Sequence, residues 1–415
     1  MRTYEEVLNL MDSGWRVDDA GRLNFLRQVN KWLGQPDRQL RIVHVVGTNG
    51  KGSVVEMTAR ILEAAEYQVG TFTSPALFDA REQVQLNHHN MSKSAVVHWY
   101  EHIRTVLMAH GEEPATLSAF EYWTFMALLY FADAHVDVAI IEAGLGGKQD
   151  ATHVISRPAV VAVTPISLDH MQWLGDTLEA IATNKAAVIQ PDSRVVSAQQ
   201  EPRVAAILQH ATQQAQATWQ AIDVPVEILV DTPAQLRLQI AGVPYELGLR
   251  GQMQAENVRL VWQILAQLDL PTTPEKRQFG LSQATLFGRL TVTGQVIYDG
   301  AHNPAGAQQL ANELDRWGLR GHVILILGML ADKDTTAIQA ALTPLARQVI
   351  GVTADNQRAM LAADFAQQTA TLGEAMTQAK QRATATDWIV VAGSFYTIKG
   401  VITHGDLASE HDAFI

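Results

Sequence analysis

The chain has no cysteine, no long apolar run, and fewer basic than acidic residues. Without cysteine there is no disulfide, no thiolate nucleophile and no cysteine-ligated zinc, so a metal site must use oxygen and imidazole ligands, which suits Mg²⁺. The 31 Lys and Arg residues against 43 Asp and Glu residues give a formal net charge of -12. This charge argues against a nucleic-acid partner, because such a partner requires a basic surface.

The best apolar run, from Phe125 to Ala132, is far too short to span a bilayer. The first ten residues carry acidic side chains and lack the continuous apolar segment of a secretory signal. We therefore expect a cytoplasmic protein with no membrane partner.

A chain of 415 residues is too long for one ordinary core, and we predict two domains, 1–284 and 285–415. Helical and strand patterns alternate in both, which predicts parallel sheets covered by helices. Between about 218 and 250 the pattern shortens into β-like pieces, which suggests a small antiparallel annex. The predicted fold is α/β, with a P-loop-type, mostly parallel sheet domain that has helices on both faces, and a smaller C-terminal Rossmann-like α/β domain.

The segment Gly47–Ser53 is the most informative feature of the chain. It follows the apolar run 41–46 and precedes a helical pattern over 53–65. A strand that leads through glycines into a helix presents backbone N–H groups and a helix N-terminus to a polyphosphate, and Lys51 adds a positive charge. The segment therefore predicts a nucleotide site, formed by Thr48, Asn49, Gly50, Lys51, Gly52 and Ser53. The alternative is a glycine-rich turn that merely connects a strand to a helix.

This loop departs from the common pattern G-x-x-x-x-G-K-[ST] at two positions. Val45 stands at the position of the first glycine, and Gly52 stands at that of the Ser or Thr. The Mg²⁺ must then take its hydroxyl ligand from elsewhere, and Ser53 and Ser74 are the candidates. Ser74 opens a long predicted loop that runs from the end of a short strand toward Met91.

Two further predicted apolar strands end near residues that could bind a metal ion. The run 136–141 stops at Glu142 and a glycine-rich turn, where a carboxylate could bind Mg²⁺, although a solvated strand-end glutamate fits as well. The run 158–163 leads to His170, which could ligate a metal through one imidazole nitrogen, although a surface histidine is an equally good interpretation.

Two other positions also carry alternatives. Lys185 lies in a segment with helical apolar spacing, which by default predicts an exposed lysine on an amphipathic helix. Asp299 and His302 follow a strand and precede a proline and a helix, which suggests a site, although a plain turn before a helix also fits.

In this order the segments resemble the folylpolyglutamate synthase/dihydrofolate synthase family, part of the Mur-ligase group of ATP-dependent amide-forming enzymes. The resemblance extends over nearly the whole chain. Its anchors are Gly47–Ser53, Thr73–Pro75, Glu142–Gly147 with Asp150–Thr152, Ser167–His170 with Leu174–Thr177, Asp299–Pro304 and Thr353–Asn356.

The resemblance implies a role for each candidate residue. It makes Lys51, His170 and Lys185 catalytic residues, with Lys185 carried as a carbamate. It implies that Ser74 and Glu142 bind one Mg²⁺ and that His170 joins the site of a second. The remaining nucleotide contacts that it implies are Asn257, Arg289, Asp299 and His302.

The resemblance also implies an activity. ATP would phosphorylate a carboxylate of a folate or of dihydropteroate, and L-glutamate would attack the acyl phosphate to give an amide, ADP and phosphate. The expected partners are these small molecules, and the expected state is a monomer.

Several positions depart from the pattern of the family: Ala76, Gln83, His153, Ala187, Met253 and Thr291. These departures leave two alternatives open, a Mur-type ligase that acts on a non-folate acid and a nucleotide-binding relative that does not ligate.

Overall fold

The computed structural model describes residues 2–12, 21–220 and 223–405 of the chain. The helices are α1 (Tyr4–Met11), α2 (Arg22–Trp32), α3 (Lys51–Ala64), α4 (Lys93–Ala109), α5 (Ala119–Asp133), α6 (Met171–Leu174), α7 (Leu178–Ala186), α8 (Pro202–Gln214), α9 (Met253–Gln267), α10 (Pro274–Gln283), α11 (Pro304–Arg316), α12 (Thr335–Leu342), α13 (Leu372–Arg382) and α14 (Phe395–His404). None of the helices in these ranges is long and apolar enough to cross a membrane.

The strands are β1 (Ile42–Val46), β2 (Val69–Phe72), β3 (Val84–Leu86), β4 (His89–Asn90), β5 (Val138–Glu142), β6 (Val160–Val163), β7 (Arg194–Ser197), β8 (Thr218–Trp219), β9 (Val226–Asp231), β10 (Leu236–Ile240), β11 (Val243–Leu247), β12 (Thr291–Thr293), β13 (Val296–Asp299), β14 (Val323–Leu327), β15 (Ala346–Gly351) and β16 (Trp388–Ala392).

Packing divides the described chain into two compact units. The first comprises described residues within Met1–Ile166, Leu174–Val224 and Asn257–Gly280. The second comprises those within Ser167–Trp173, Pro225–Glu256 and Leu281–Ile415. The predicted division into 1–284 and 285–415 stays a prediction. The packing units differ from it by including described residues of 167–173, 225–256 and 281–284 in the second unit.

The first unit is built on an eight-stranded sheet in the order β4-β3-β2-β5-β1-β6-β7-β8. The pairs from β2 to β8 are parallel, while β3 and β4 extend one edge as an antiparallel hairpin. All five residues of β1 are buried, as are all five of β5, which is expected for central strands of a covered parallel sheet. The carboxyl ends of parallel strands share one edge, and that edge carries the phosphate loop.

The second unit contains two separate sheets. Three antiparallel strands, in the order β11-β10-β9, form the predicted annex. A five-stranded sheet has the order β12-β13-β16-β14-β15, and only β12 is antiparallel in it. Its core combines strand residues such as Leu325 and Val390 with Leu310 and Leu314 of α11. The predicted α/β fold, with a large mostly parallel sheet and a second C-terminal α/β domain, is confirmed.

One local prediction needs correction. The long loop predicted after Thr73 contains a 3₁₀ helix, Ala80–Gln83, and the hairpin β3–β4. The carboxylate of Glu82 organises the preceding bend, because it accepts hydrogen bonds from the backbone N–H groups of Leu77, Phe78 and Asp79. Residues 84–90 are rich in polar side chains, and the two strands that they form at a sheet edge were therefore not predicted.

Candidate active site

The phosphate loop has the backbone geometry of an anion site. Gly50 is the N-cap of α3, adopts φ +90°, and supplies no side-chain cap to the first turn of the helix. A Cβ atom at this position would lie 2.5 Å from Oδ1 of Asn257, which is closer than van der Waals contact permits. A 14-residue helix whose first N–H groups receive no cap from the N-cap residue offers those groups and the positive end of its dipole to a phosphate.

Asn257 lies on α9, far from the loop in sequence. It is buried, and the close approach to Gly50 places its side chain against the loop. The resemblance implies a nucleotide contact for this residue. The structure brings Asn257 to the loop, and its role stays a prediction.

Lys51 and Glu142 meet at the ends of neighbouring strands. Val45 of β1 is in register with Glu142, the last residue of β5, so α3 starts beside this carboxylate. The Lys51 Nζ atom lies 3.7 Å from Glu142 Oε1 and donates a hydrogen bond to the Thr48 carbonyl at 3.1 Å. Glu142 is only 4% exposed, so the interpretation of it as a solvated strand-end glutamate is wrong. An oxygen ligand and a lysine therefore lie together beside the loop.

The default interpretation of Lys185 from sequence, an exposed lysine on an amphipathic helix, is also wrong. Lys185 is 5% exposed, and its Nζ donates a hydrogen bond of 2.7 Å to the carbonyl of Gly47. The reason is that α7 packs on the glycine-rich turn, where Asn184 Oδ1 accepts hydrogen bonds from the N–H groups of Gly147 and Lys148. A Cβ atom at Gly147 would lie 2.8 Å from the backbone oxygens of Asn184 and Lys185. Because Gly147 has no side chain, α7 can pack closely on this turn and place Lys185 beside the phosphate loop.

Ser74 follows β2 and is half-buried, and its bond to Pro75 is cis. No group of three or more His, Asp or Glu side chains in the described ranges is arranged to hold a metal ion. A metal bound here would therefore rely on few protein ligands and on the phosphates of a nucleotide, as Mg²⁺ commonly does. The metal roles of Ser74, Glu142 and His170 stay predictions.

In the second unit, the carboxylate of Asp169 is the centre of a polar network. It accepts hydrogen bonds from Lys333 Nζ at 2.9 Å and from Asn303 Nδ2 at 3.1 Å. One imidazole nitrogen of His170 and one of His302 lie within 3.8 Å of it. Burial alone would raise the pKa of Asp169, but His302, His170 and Lys333 outweigh burial and hold the pKa well below its ordinary value. The carboxylate is therefore ionised at neutral pH.

Asp299 and Arg289 occupy the turns at the ends of β12 and β13. The Asp299 carboxylate accepts hydrogen bonds from the N–H groups of Leu290 and Ala301, so it holds two turns together. Burial raises its pKa, while the positive charge of Arg289 opposes that shift. The Arg289 guanidinium carbon lies 4.3 Å from the centre of the Phe395 ring. The nearby His302 Nδ1 is 2.8 Å from the Gly300 carbonyl, to which it donates.

Sequence reasoning missed Lys333. Its side chain is only 8% exposed and is paired with Asp169. A signal was present in the run Ala331-Asp-Lys-Asp334, which follows the buried strand β14 as the other candidate residues follow theirs.

Comparison with known proteins identifies the family. The Mur ligase middle domain matches residues 45–258, and the Mur ligase glutamate ligase domain matches residues 288–395. Folylpolyglutamate synthase from Lacticaseibacillus casei is 33% identical over 356 residues, which cover 82% of this chain and 83% of that protein. The chain belongs to the folylpolyglutamate synthase family of Mur ligases.

Solved structures of this family have the same fold. The Mycobacterium tuberculosis folylpolyglutamate synthase complexed with ADP aligns with a TM-score of 0.84 and 32% identity, covering 96% of this chain and 97% of that one. A bifunctional folylpolyglutamate synthase/dihydrofolate synthase from Yersinia pestis, complexed with AMPPNP and Mn ion, aligns with a TM-score of 0.84 and 28% identity. It covers 99% of this chain and 98% of that one. The predicted family is confirmed.

Proposed function

We propose that this chain is an ATP-dependent ligase that adds L-glutamate to a folate, with dihydropteroate as a second candidate acceptor. Membership of the folylpolyglutamate synthase family supports the reaction class. The observation that carries the proposal is that the partly buried Lys51 and the buried Glu142 and Lys185 lie around the loop Gly47–Ser53.

A nucleotide fits the loop on physical grounds. Gly47 and Gly50 adopt positive φ, and a side chain on either would collide with Thr164 or Asn257, so the loop stays open to a bulky anion. Lys51 is already oriented at the helix start and would neutralise charge on the transferred phosphoryl group. Relatives bound to ADP and to AMPPNP with Mn support nucleotide and divalent metal use.

A Mg²⁺ ion fits the oxygen ligands present. Ser74 would supply a hydroxyl and Glu142 a carboxylate, and His170 is proposed for the site of a second ion. The ion supplies charge neutralisation on the phosphates when bound. Lys51 beside Glu142 is compatible with this arrangement, because its Nζ lies 3.7 Å from Oε1 and the carboxylate has a second oxygen.

We also propose that Lys185 is carried as a carbamate. Burial disfavours the charged ammonium, and the neutral amine is the form that captures CO₂, with release of one proton. The product is an anionic oxygen-bearing group beside the loop. The N–H that remains on Nζ can still donate to the Gly47 carbonyl.

Three further residues with predicted nucleotide roles belong to the second unit. Arg289, Asp299 and His302 are proposed to bind the nucleotide, and the Asp169–Lys333 pair to hold the segment that carries His170. The carboxylate of Asp169 is ionised at neutral pH and accepts a hydrogen bond from Lys333, so this pair is retained at pH values near neutrality.

The reaction requires an activated carboxylate, because a carboxylate is a poor electrophile and its oxygen is a poor leaving group. Phosphorylation solves both problems, and the amine of L-glutamate then displaces phosphate to form the amide. Positioning and electrostatic stabilisation account for most of the acceleration. A monomer in the cytoplasm is part of this proposal.

The decisive experiment incubates the protein with ATP, Mg²⁺, L-glutamate and a reduced folate. We expect glutamate-dependent ADP formation and a folate product heavier by one glutamyl residue. The absence of both with folate and with dihydropteroate would defeat the proposal.

One alternative has specific support. The resemblance fails at Ala76 and Gln83, near Ser74, and Gln83 Nε2 turns back to donate to the carbonyl of Ala80. A Mur-type ligase with a non-folate acceptor acid would therefore keep the nucleotide chemistry and change this loop. Replacing the acceptor acid in the same assay separates the two functions, and tight ATP binding without turnover on any acceptor would identify a non-catalytic relative.

A further inference from the structure

Two histidines lie on the solvent side of α4, in the first unit and outside the set of residues assigned to ligation. The buried side of this helix is formed by Val96, Val97, Tyr100, Ile103 and Leu107. His98 and His102 are both exposed and occupy positions i and i+4, one turn apart. Side chains with this spacing have Cβ atoms about 5–6 Å apart on the same helix face.

The indole ring of Trp99 contacts both imidazole rings. Its ring centre lies 4.8 Å from that of His98 and 5.8 Å from that of His102, and both contacts are edge-on. The indole therefore limits the freedom of both rings and lies close enough to report on a bound ion.

We infer that His98 and His102 form a two-imidazole chelate for a borderline divalent cation such as Zn²⁺, Ni²⁺ or Cu²⁺. Two imidazoles one helical turn apart can bind one ion, as they do in helical metal sites with i, i+4 histidines. Imidazole selects these ions over Mg²⁺ and Ca²⁺, which prefer oxygen. No third protein ligand completes a site in the described part of the chain, so water or a small ligand fills the remaining positions.

The surroundings of His102 favour the neutral ring that a metal needs. Burial lowers the pKa of His102, and the proximity of His98 lowers it further. The neighbouring carboxylate of Glu101 is held by the guanidinium groups of Arg2 and Arg104 and does not form an ion pair with either histidine.

The test is a titration of the intact chain with CuCl₂ and with ZnCl₂ in excess Mg²⁺, without nucleotide. We expect saturable Cu²⁺ quenching of tryptophan fluorescence that is lost in Trp99→Phe. His98→Ala and His102→Ala should each weaken binding by about tenfold or more, because one imidazole no longer chelates. Calorimetry with Zn²⁺ should show the same weakening of binding in each variant.

The chain offers a matched control. His210 is exposed on α8 and has no histidine one turn away, so His210→Ala should titrate as the unsubstituted protein. The inference is overturned if the variants at His98 and His102 bind Zn²⁺ and Cu²⁺ as tightly as His210→Ala. All three variants should retain ligase activity, which separates this test from that of the proposed function.

Discussion

Glu313 and Asp231 form a buried pair of carboxyl groups in the second unit that should make stability depend on pH. Glu313 of α11 is 2% exposed and accepts hydrogen bonds from the Gln252 N–H at 3.0 Å and from Arg316 at 2.8 Å. Asp231, at the end of β9, accepts from the Trp317 indole N–H at 3.0 Å and lies 3.5 Å from the same Arg316 nitrogen. One oxygen of each carboxyl is buried without a hydrogen-bond donor among the described residues.

A proton on Glu313 gives its carboxyl group an O–H donor for Asp231. Burial raises the pKa of Glu313, and the hydrogen bond to Asp231 raises it further, to about 7. Because this value exceeds the ordinary 4.5 of an unfolded chain, the stabilisation is fully present below pH 4.5 and is lost as the pH rises through 7. The shift corresponds to about 3 kcal/mol of unfolding free energy.

Glu313→Gln removes the titration and keeps the shape, since the amide N–H₂ can donate to Asp231 at any pH. We expect the variant to be close to the unsubstituted protein in stability near pH 5 and more stable by about 3 kcal/mol at pH 8. Urea unfolding followed by circular dichroism at both pH values measures this difference. Glu246→Gln, at an exposed position of β11, is the control and should show no such trend. A stability difference that does not change between pH 5 and 8 would refute the raised pKa of Glu313.

Three further predictions concern the first unit. Lys51→Ala should lower glutamate-dependent ADP formation by about 10²-fold or more without unfolding α3, and full activity would remove the lysine from the phosphate site. Gly50→Ala places a Cβ atom 2.5 Å from Asn257 at φ +90°, so it should cost about 1–3 kcal/mol in urea unfolding and weaken nucleotide binding by calorimetry; unchanged values would contradict the strain. Burial lowers the pKa of His88, but its hydrogen bonds to Glu56 and Glu63 outweigh burial and raise the pKa to about 9. Its stabilisation should be complete below pH 6.5 and disappear as the pH rises through 9, a decline that urea unfolding should find absent in His88→Gln.

The site was predictable where its residues follow each other along the chain. Gly47–Ser53 follows a strand and starts a helix, and glycines with positive φ are recognisable because few other residues tolerate that backbone. Glu142 was predictable as a strand end, but its burial was not, since burial depends on α3 and Lys51 lying across the neighbouring strand.

Other contacts join residues that no local pattern relates. Lys185 reaches Gly47 across 138 positions, and Lys333 reaches Asp169 across 164. Helical periodicity indicates which side of α7 is apolar, but it does not indicate that a glycine-rich turn will cover the lysine. The partner of Lys333 could not be inferred from the sequence, because only the fold brings 167–173 beside the end of β14.

The sequence by itself determined the alternation of strands and helices, the phosphate loop and the family, because each depends on neighbouring residues or on motifs in a fixed order. Only the tertiary structure decided which charged groups are buried and paired, including Lys185, the network of Asp169 and the neighbouring carboxyl groups of Glu313 and Asp231. The physical reason is that the free energy of a charge depends on the dielectric and the partners around it, and residues distant in sequence supply both.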